Sequence, residues 1–201
     1  MAREIGLSRL TVFPVTKNDA TGATFGTATP VSWVTNVSVS KTIAEYSAYA
    51  DNIAEISSSK ENGAELTITV SSDMSPKLEA QLTGKKYNNA SMVSTADDTK
   101  PSFAIAYETV MSDGSVRRYC YYSCTISKND QENETISDSV TAQTYELSVK
   151  AVPLVQTKEL MIEMDEKEVT EFLADAANAA NHDKVREAWE KFFETVPTQV
   201  V

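Results

Sequence analysis

Residues 102–127 read SFAIAYETVMSDGSVRRYCYYSCTIS, and this stretch decides the fold. Two runs rich in Ile, Val, Tyr and Phe flank the pair Asp113-Gly114. Such a pair between two β-prone runs predicts a hairpin with a two-residue type I′ turn, because both central residues of that turn need positive φ. With the turn centred there, position 110 pairs with 117 and position 107 pairs with 120.

This register divides the side chains of the hairpin between two faces of a sheet. The predicted core face carries Phe103, Ile105, Tyr107, Met111, Val116, Cys120, Tyr122 and Cys124. The reverse face carries Ala104, Ala106, Glu108, Val110, Arg117, Tyr119 and Tyr121, with Glu108 diagonally within reach of Arg117. Because this reverse face is only half polar, we expect a sheet covered on both sides, by the rest of the fold or by a neighbouring subunit.

Outside this hairpin, alternation of apolar and polar residues predicts further strands. They fall at 6–15, 29–41, 43–52 and 144–155. The pair Asn62-Gly63 predicts a second hairpin turn within 53–71.

Helix signals are few and lie mostly near the C-terminus. Ser75 and Gly84 predict the start and end of a short helix. Asp165 predicts the cap of a second helix, and a third follows a turn at 181–183. The last two are too short to be stable alone, so they must pack on the β body or on another chain. The predicted fold class is mainly β (α+β), with a β domain over 1–156 and a helical extension over 157–201.

Composition limits the classes of partner. The chain has 29 acidic and 18 basic residues and a net charge of −11, which argues against tight binding to nucleic acid or to an anionic membrane. No apolar run reaches the ~20 residues of a membrane helix, and we expect no signal peptide. Cys120 and Cys124 lie four positions apart on a predicted strand, about 13 Å, which is too far for a disulfide.

Residues for catalysis are scarce. The single histidine, His182, falls on a predicted polar turn, where a solvated role is the ordinary interpretation. One His and two Cys cannot assemble a zinc site of the usual kind. The sequence has no Gly-x-Ser-x-Gly elbow, phosphate-binding glycine loop or dinucleotide fingerprint. We therefore expect a protein that is not an enzyme and that has no cofactor.

Four stretches carry a resemblance. They are IGLSRLTVFPVT with ATGATFGTATPV near the N-terminus, SAYADNIAEISSSKENGAELTITVSSDMSPKLEAQLTG, DDTKPSFAIAYETVMSDGSVRRYCYYSCTIS, and HDKVREAWEKFFETV near the C-terminus. In this order they resemble the major tail proteins (tail tube proteins) of long-tailed, non-contractile bacteriophages and prophages. The resemblance covers nearly the whole chain, and it is the ordered set rather than any one stretch that is specific.

The resemblance implies a structural role. It implies a β-sandwich or barrel-like body with a short helix and a C-terminal helical segment. Such subunits form stacked hexameric rings, and each contributes strands to an inner sheet around a channel. The implied partners are other copies, the tape measure, tail terminator and distal tail proteins, and genomic DNA that passes without specific binding. The implied location is the virion tail, after synthesis and assembly in the host cytoplasm, with no membrane partner.

The resemblance also gives the acidity a role, because a negative lining repels the phosphates of passing DNA. Candidate lining residues lie on the polar faces of 44–52 and of the Asn62-Gly63 segment. They are Glu45, Asp51, Glu55, Glu65, Thr67 and Thr69. The alternative for each of them is an ordinary place on the outer surface.

Two other functions remain open at this point. The chain could be a non-enzymatic β-sandwich binding module, as in capsid decoration or adhesion, or a tube subunit of a phage-derived injection apparatus. Rings or hollow filaments of the purified protein favour a tube, whereas a persistent monomer favours a binding module.

Overall fold

The structure is a computed structural model that describes residues 3–50, 53–71, 74–129 and 144–199. Over 46–50 and 53–58 the description covers the backbone and not the side chains. The strands are β1 (Glu4–Asp19), β2 (Gly22–Phe25), β3 (Thr29–Pro30), β4 (Val34–Ala50), β5 (Ile53–Val70), β6 (Lys86–Asn88), β7 (Ser91–Val93), β8 (Ser102–Met111), β9 (Val116–Lys128), β10 (Tyr145–Ala151) and β11 (Met161–Asp165). The helices are α1 (Pro76–Thr83), α2 (Glu166–Ala174), a 3-10 helix (Ala176–Asn181) and α3 (His182–Glu190).

One large antiparallel sheet organises the chain. Its strands follow the order β2-β1-β8-β9-β10-β5-β4, with β3 paired to β1 and β11 paired to β9. Strands β6 and β7 form a separate two-stranded sheet. The predicted fold class, mainly β with a few short helices, is confirmed.

The central hairpin forms, but its predicted register is wrong by one residue. Position 110 pairs with Val116, and Tyr107 pairs with Tyr119. The turn has three residues, closed by a hydrogen bond from the Met111 N–H to the Ser115 carbonyl, and Gly114 supplies a left-handed φ of 86°. A three-residue turn ending in a left-handed glycine is the next most common hairpin connection after the two-residue type.

That single step exchanges the faces of the second strand, because side chains alternate with a period of two. Tyr121 joins Ile105 on one face, whereas Cys120 and Tyr122 join the alanines of β8 on the other. The predicted proximity of Glu108 to Arg117 is replaced by an ion pair of Glu108 with Arg118, at 2.8 Å. A bulge in β9, where Tyr122 and Ser123 oppose the single residue Ala104, then restores the pairing of Phe103 with Cys124.

The sheet packs a hydrophobic core on each side of β8 and β9. The first core lies on one face of the sheet and draws on β1, β8, β9, β10, β5 and α1. The second core lies on the reverse face of β1, β8 and β9 and includes Phe13, Ala104, Ala106, Tyr122 and Phe192. The expected coverage of both sides is therefore confirmed, and the rest of the fold provides it.

The predicted turn at Asn62-Gly63 is wrong, because both residues lie inside the continuous strand β5. Thr42 of β4 pairs with Gly63 and the next residue, Ile43, pairs with Glu61, so Asn62 is the extra residue of a β-bulge. A Cβ on Gly63 would lie 2.9 Å from the Ala151 carbonyl oxygen, so glycine permits the close approach of β10. The connection between β4 and β5 instead falls at 51–52, outside the described residues.

The three predicted helices form near their predicted positions. The predicted turn at 181–183 is wrong, because the 3-10 helix ends at Asn181 and α3 begins at His182. The Ser75 side chain accepts a hydrogen bond from the Leu78 N–H at the start of α1, and Gly84 ends this helix with φ of 78°. Asp165 caps α2 by accepting from the Lys167 N–H. The strand β11, which pairs with β9 just before α2, has no counterpart in the sequence-based interpretation.

The cysteines behave as predicted. Cys120 and Cys124 are both free and buried. Burial raises the pKa of both thiols above the ordinary value, so they remain protonated, unreactive core side chains.

Candidate assembly edge and polar sheet face

One face of four adjacent strands is polar and uncovered. Alternate residues of β4, β5, β10 and β9 point to this side, opposite the first core. They form three cross-strand rows: Asn36-Thr69-Glu146, Ser38-Thr67-Ser148-Ser127, and Ser40-Glu65-Lys150-Thr125-Ser102. Rows two residues apart are spaced about 7 Å, and neighbouring strands about 4.8 Å. We call these rows, together with Lys100 and Asn129 at their border, the polar face.

Hydrogen bonds run sideways across the polar face. The Ser148 hydroxyl donates to the side-chain oxygen of Asn129 at 2.6 Å, and the Asn129 amide donates to Glu146 at 3.4 Å. Lys100 donates to the Ser127 hydroxyl at 2.6 Å. These contacts hold the polar side chains against the sheet.

The charges on the polar face are compensated. Glu65 and Lys150 face each other across β5 and β10, with 3.4 Å between Oε1 and Nζ. Both side chains of this pair are solvent-exposed. Glu146 and Lys100 add one charge of each sign.

The predicted lining residues divide into three groups. Glu65, Thr67 and Thr69 lie together on the polar face, one in each row. Glu45 is exposed on β4, opposite Ser59 and beyond the bulge. Asp51 lies outside the described residues, and so does the side chain of Glu55.

Strand β4 has one free edge. It pairs with β5 from Val34 to Ala50, apart from Thr35 at a register shift, and in the part of the chain that the structure describes no other strand pairs with it. Beyond Gly63 the two strands pair only with each other within the described ranges, and we call residues 43–50 and 53–62 the arm. Near this edge Val39 is 37% exposed and Ile43 is 55% exposed.

An open groove of about 650 Å³ lies between the first half of β1 and the start of β4. Its floor is aromatic: the rings of Tyr107 and Tyr119 stack at 5.0 Å, and the Tyr121 ring lies 6.5 Å from that of Tyr107. Burial raises the pKa of all three phenols above the ordinary value, so they stay neutral. The Tyr119 hydroxyl donates to Glu4 at 2.6 Å, at the mouth of the groove.

The sequence-based prediction does not include this groove. Its register places Tyr119 and Tyr121 on the face opposite Tyr107, because it is wrong by one residue. A three-residue turn with Gly114 in the left-handed position would place Tyr107, Tyr119 and Tyr121 on the same face of the sheet. The glycine at this position is therefore the sequence signal from which the groove could have been predicted.

The C-terminal segment is fixed to the reverse side of the sheet. Phe192 is fully buried in the second core. Arg118 of β9 donates to Glu108 at 2.8 Å and to the Trp189 carbonyl oxygen. Lys167 at the start of α2 forms an ion pair with Asp113 in the turn of the central hairpin.

His182 is half-buried at the start of α3, where its ring contacts Phe172 and lies within 3.0 Å of the Asp175 carbonyl oxygen. Among the residues that the structure describes, no three His, Cys, Asp or Glu side chains form a group that could hold a metal ion. In the same ranges, no helix has the length and apolar character to cross a bilayer.

Comparison with known proteins does not assign a family. No protein-family model matches the chain, and the search of curated proteins finds no match.

Proposed function

We propose that this chain is a structural subunit of a phage tail tube, which assembles with copies of itself into stacked hexameric rings. The rings form the channel through which DNA leaves the virion. Two kinds of observation support the proposal. One is the ordered resemblance of four stretches to the major tail proteins, and the other is the free edge of β4.

The free edge is the observation that carries the proposal. A long strand with one unpaired edge is a template for pairing with another chain, and soluble monomers usually shorten, cover or charge such edges. Here the edge runs for 17 residues and ends in an arm without a third strand. A two-stranded ribbon alone is marginally stable in water, so a neighbouring copy is the natural support for the arm.

Self-association then follows a simple geometry. In a ring of six copies the edge of β4 on one copy meets a different surface on the next, which is a head-to-tail contact. Such a contact closes into a ring when the rotation that relates one subunit to the next is a whole fraction of 360°. Closure of the ring pairs the free edges of the sheets. The polar face, which no element of the described chain covers, then lines the bore.

The proposed partners follow from this role. Other copies of the chain bind at the edge of β4 and at the arm. The tape measure protein lies inside the tube, and the terminator and distal tail proteins bind at its ends. DNA passes through the bore. A tube subunit of a phage-derived injection apparatus would use the same edge and face, and would differ only in its cargo.

Polymerisation of the purified protein tests the proposal. We expect concentrated protein to form rings or hollow filaments in negative-stain microscopy. We also expect amide hydrogen exchange along β4 to slow on assembly, because free-edge N–H groups become paired. A chain that stays monomeric at high concentration, also when tube ends are added as a template, would contradict the proposal.

A binding module is the second candidate, and the tyrosine-floored groove is the observation that favours it. A concave aromatic site of about 650 Å³ is of the size that small ligands occupy. For such a module we expect a persistent monomer in which Tyr107→Ala abolishes ligand binding. For a tube subunit we expect the same substitution to leave ring formation in place.

A further inference from the structure

The polar face has no excess of negative charge, although the chain as a whole carries −11. Its two acids are Glu65 and Glu146, and its two bases are Lys100 and Lys150. All other members of the three rows are uncharged, and all but Asn36 carry hydroxyl groups. The acidic excess of the chain lies elsewhere.

We propose that this face contacts passing double-stranded DNA as a charge-compensated hydroxyl surface, which neither holds nor repels the phosphates. The inference rests on the proposed function and specifies the chemistry of the bore. It replaces the expectation of an acidic lining, because the one charged candidate on this face, Glu65, is matched by Lys150.

The pairing of Glu65 with Lys150 prevents both adhesion and repulsion. Proteins hold DNA by placing Lys and Arg against phosphates with the release of condensed counterions. Lys150 already faces a carboxylate, and the charge of Lys100 is offset in number by Glu146. A repulsive lining would need a net negative potential, which equal numbers of both signs do not produce.

The hydroxyls permit contact at little cost in free energy. A hydroxyl that exchanges a water molecule for a phosphate oxygen changes the free energy little, because one hydrogen bond replaces another of similar strength. A duplex moving along the rows therefore meets a regular series of equivalent, weak contacts. The equal numbers of acids and bases on the face also make these contacts weakly dependent on salt.

Charge substitutions at the central pair test this inference. Tubes are assembled from purified protein in the presence of a short fluorescent DNA duplex, sedimented, and washed at increasing salt. Glu65→Gln leaves Lys150 unmatched, Lys150→Gln leaves Glu65 unmatched, and the double variant restores neutrality. The pair is exposed and contributes little to folding stability, so all three variants should fold.

We expect wild-type tubes to release the duplex at all salt concentrations, and the double variant to match them. Glu65→Gln tubes should retain the duplex at low salt. The plot of the logarithm of the binding constant against the logarithm of the salt concentration should be steeper by about 1 for each phosphate that an unmatched lysine neutralises. Lys150→Gln tubes should take up less duplex than the wild type at low salt. If Glu65→Gln prevents assembly, Glu146→Gln removes a carboxylate from another row of the same face and should show the same retention.

A second ion pair of the same kind is the matched control. Glu187 and Lys191 of α3 form an exposed pair with 2.7 Å between their charged atoms, and neither residue belongs to the three rows of the polar face. Glu187→Gln makes the same change in net charge and should leave duplex release unchanged. Equal retention by Glu187→Gln and Glu65→Gln tubes would overturn the inference, as would wild-type release that depends strongly on salt. Failure of the wild type to form tubes would instead overturn the proposed function.

Discussion

Arg118 lies over the indole ring of Trp189, with 3.9 Å between the guanidinium carbon and the ring centroid. Arg118 belongs to the central strand β9, and Trp189 belongs to α3 near the C-terminus. Arg118 also neutralises the buried carboxylate of Glu108. One side chain therefore joins the hairpin that organises the fold to the segment that covers its second core.

Removal of Arg118 should destabilise the whole protein. In Arg118→Ala the Glu108 carboxylate is left buried without a positive charge, with only the Ser8 hydroxyl donating to it at 2.6 Å. Breaking such a pair costs about 3 kcal/mol or more. Arg118→Lys keeps the charge but loses the planar stacking and the forked donors, so about 1 kcal/mol is expected. Urea unfolding followed by tryptophan fluorescence measures both. An alanine variant within about 0.5 kcal/mol of the wild type would show that the contact is not energetically important.

Gly63→Ala should destabilise the bulge in β5. The new methyl group would lie 2.9 Å from the Ala151 carbonyl oxygen, and relief of this clash requires β5 and β10 to separate. Overpacking of this kind costs about 1–3 kcal/mol. Gly6→Ala is the matched control, because no atom lies within 4 Å of the new methyl group. Equal midpoints of thermal unfolding for Gly63→Ala and Gly6→Ala would contradict the close approach of β5 and β10 at Gly63.

The acid stability of the protein should depend on Glu79 of α1. Burial alone would raise the pKa of this carboxyl, but hydrogen bonds and attraction from Lys85 and Lys128 outweigh burial and lower it. A lowered pKa stabilises the folded state above the unfolded pKa of about 4.3, and this stabilisation is lost as the pH falls through the folded value.

Glu79→Gln should therefore lower the free energy of unfolding at pH 7 by about 1.5–3 kcal/mol. The difference from the wild type should shrink as the pH falls below the unfolded pKa of about 4.3 and through the lowered pKa of the folded state. Urea midpoints measured from pH 7 to pH 3 test this, with the exposed Glu194→Gln as a control that should follow the wild type. A difference that stays constant with pH would exclude the ion pairs as its cause.

A charge on the free edge of β4 should stop assembly without unfolding the chain. Val39→Lys places an ammonium group where a neighbouring strand would have to pair, which is the device that natural edge strands use against association. Val93→Lys, on the separate β6–β7 sheet and 53% exposed, makes the same substitution away from the edge. Sedimentation should show tubes for Val93→Lys and no tubes for Val39→Lys; tubes in both would remove β4 from the interface.

The helix ends were predicted well from the sequence, because the residues that cap and stop a helix act on neighbouring residues. The caps Ser75 and Asp165 and the stop at Gly84 act within one helical turn, and the structure has all three. The pair Asn62-Gly63 misled for a physical reason. An Asn-Gly pair is compatible with a turn and with a bulge. Here the close contact with β10, which is distant in sequence, favours the bulge.

The polar face was predictable only in part. Alternation within β5 placed Thr67 and Thr69 together with Glu65 opposite the apolar Leu66 and Ile68. The partner of Glu65 was not predictable, because Lys150 is 85 positions away and meets it only through the register of β10 on β5. The net charge of the whole chain therefore held no information on the charge of this one surface.

The two cores on either side of β8 and β9 also restrict the length of this hairpin. Deletion of one residue from either strand would turn every following side chain to the opposite core, and tyrosines would then meet space shaped for Ala104 and Ala106. The arm has no such constraint, because beyond Gly63 its strands pair only with each other in the described chain. Insertions and deletions among related chains should accumulate in the arm, in steps of two residues, and should be absent from the central hairpin.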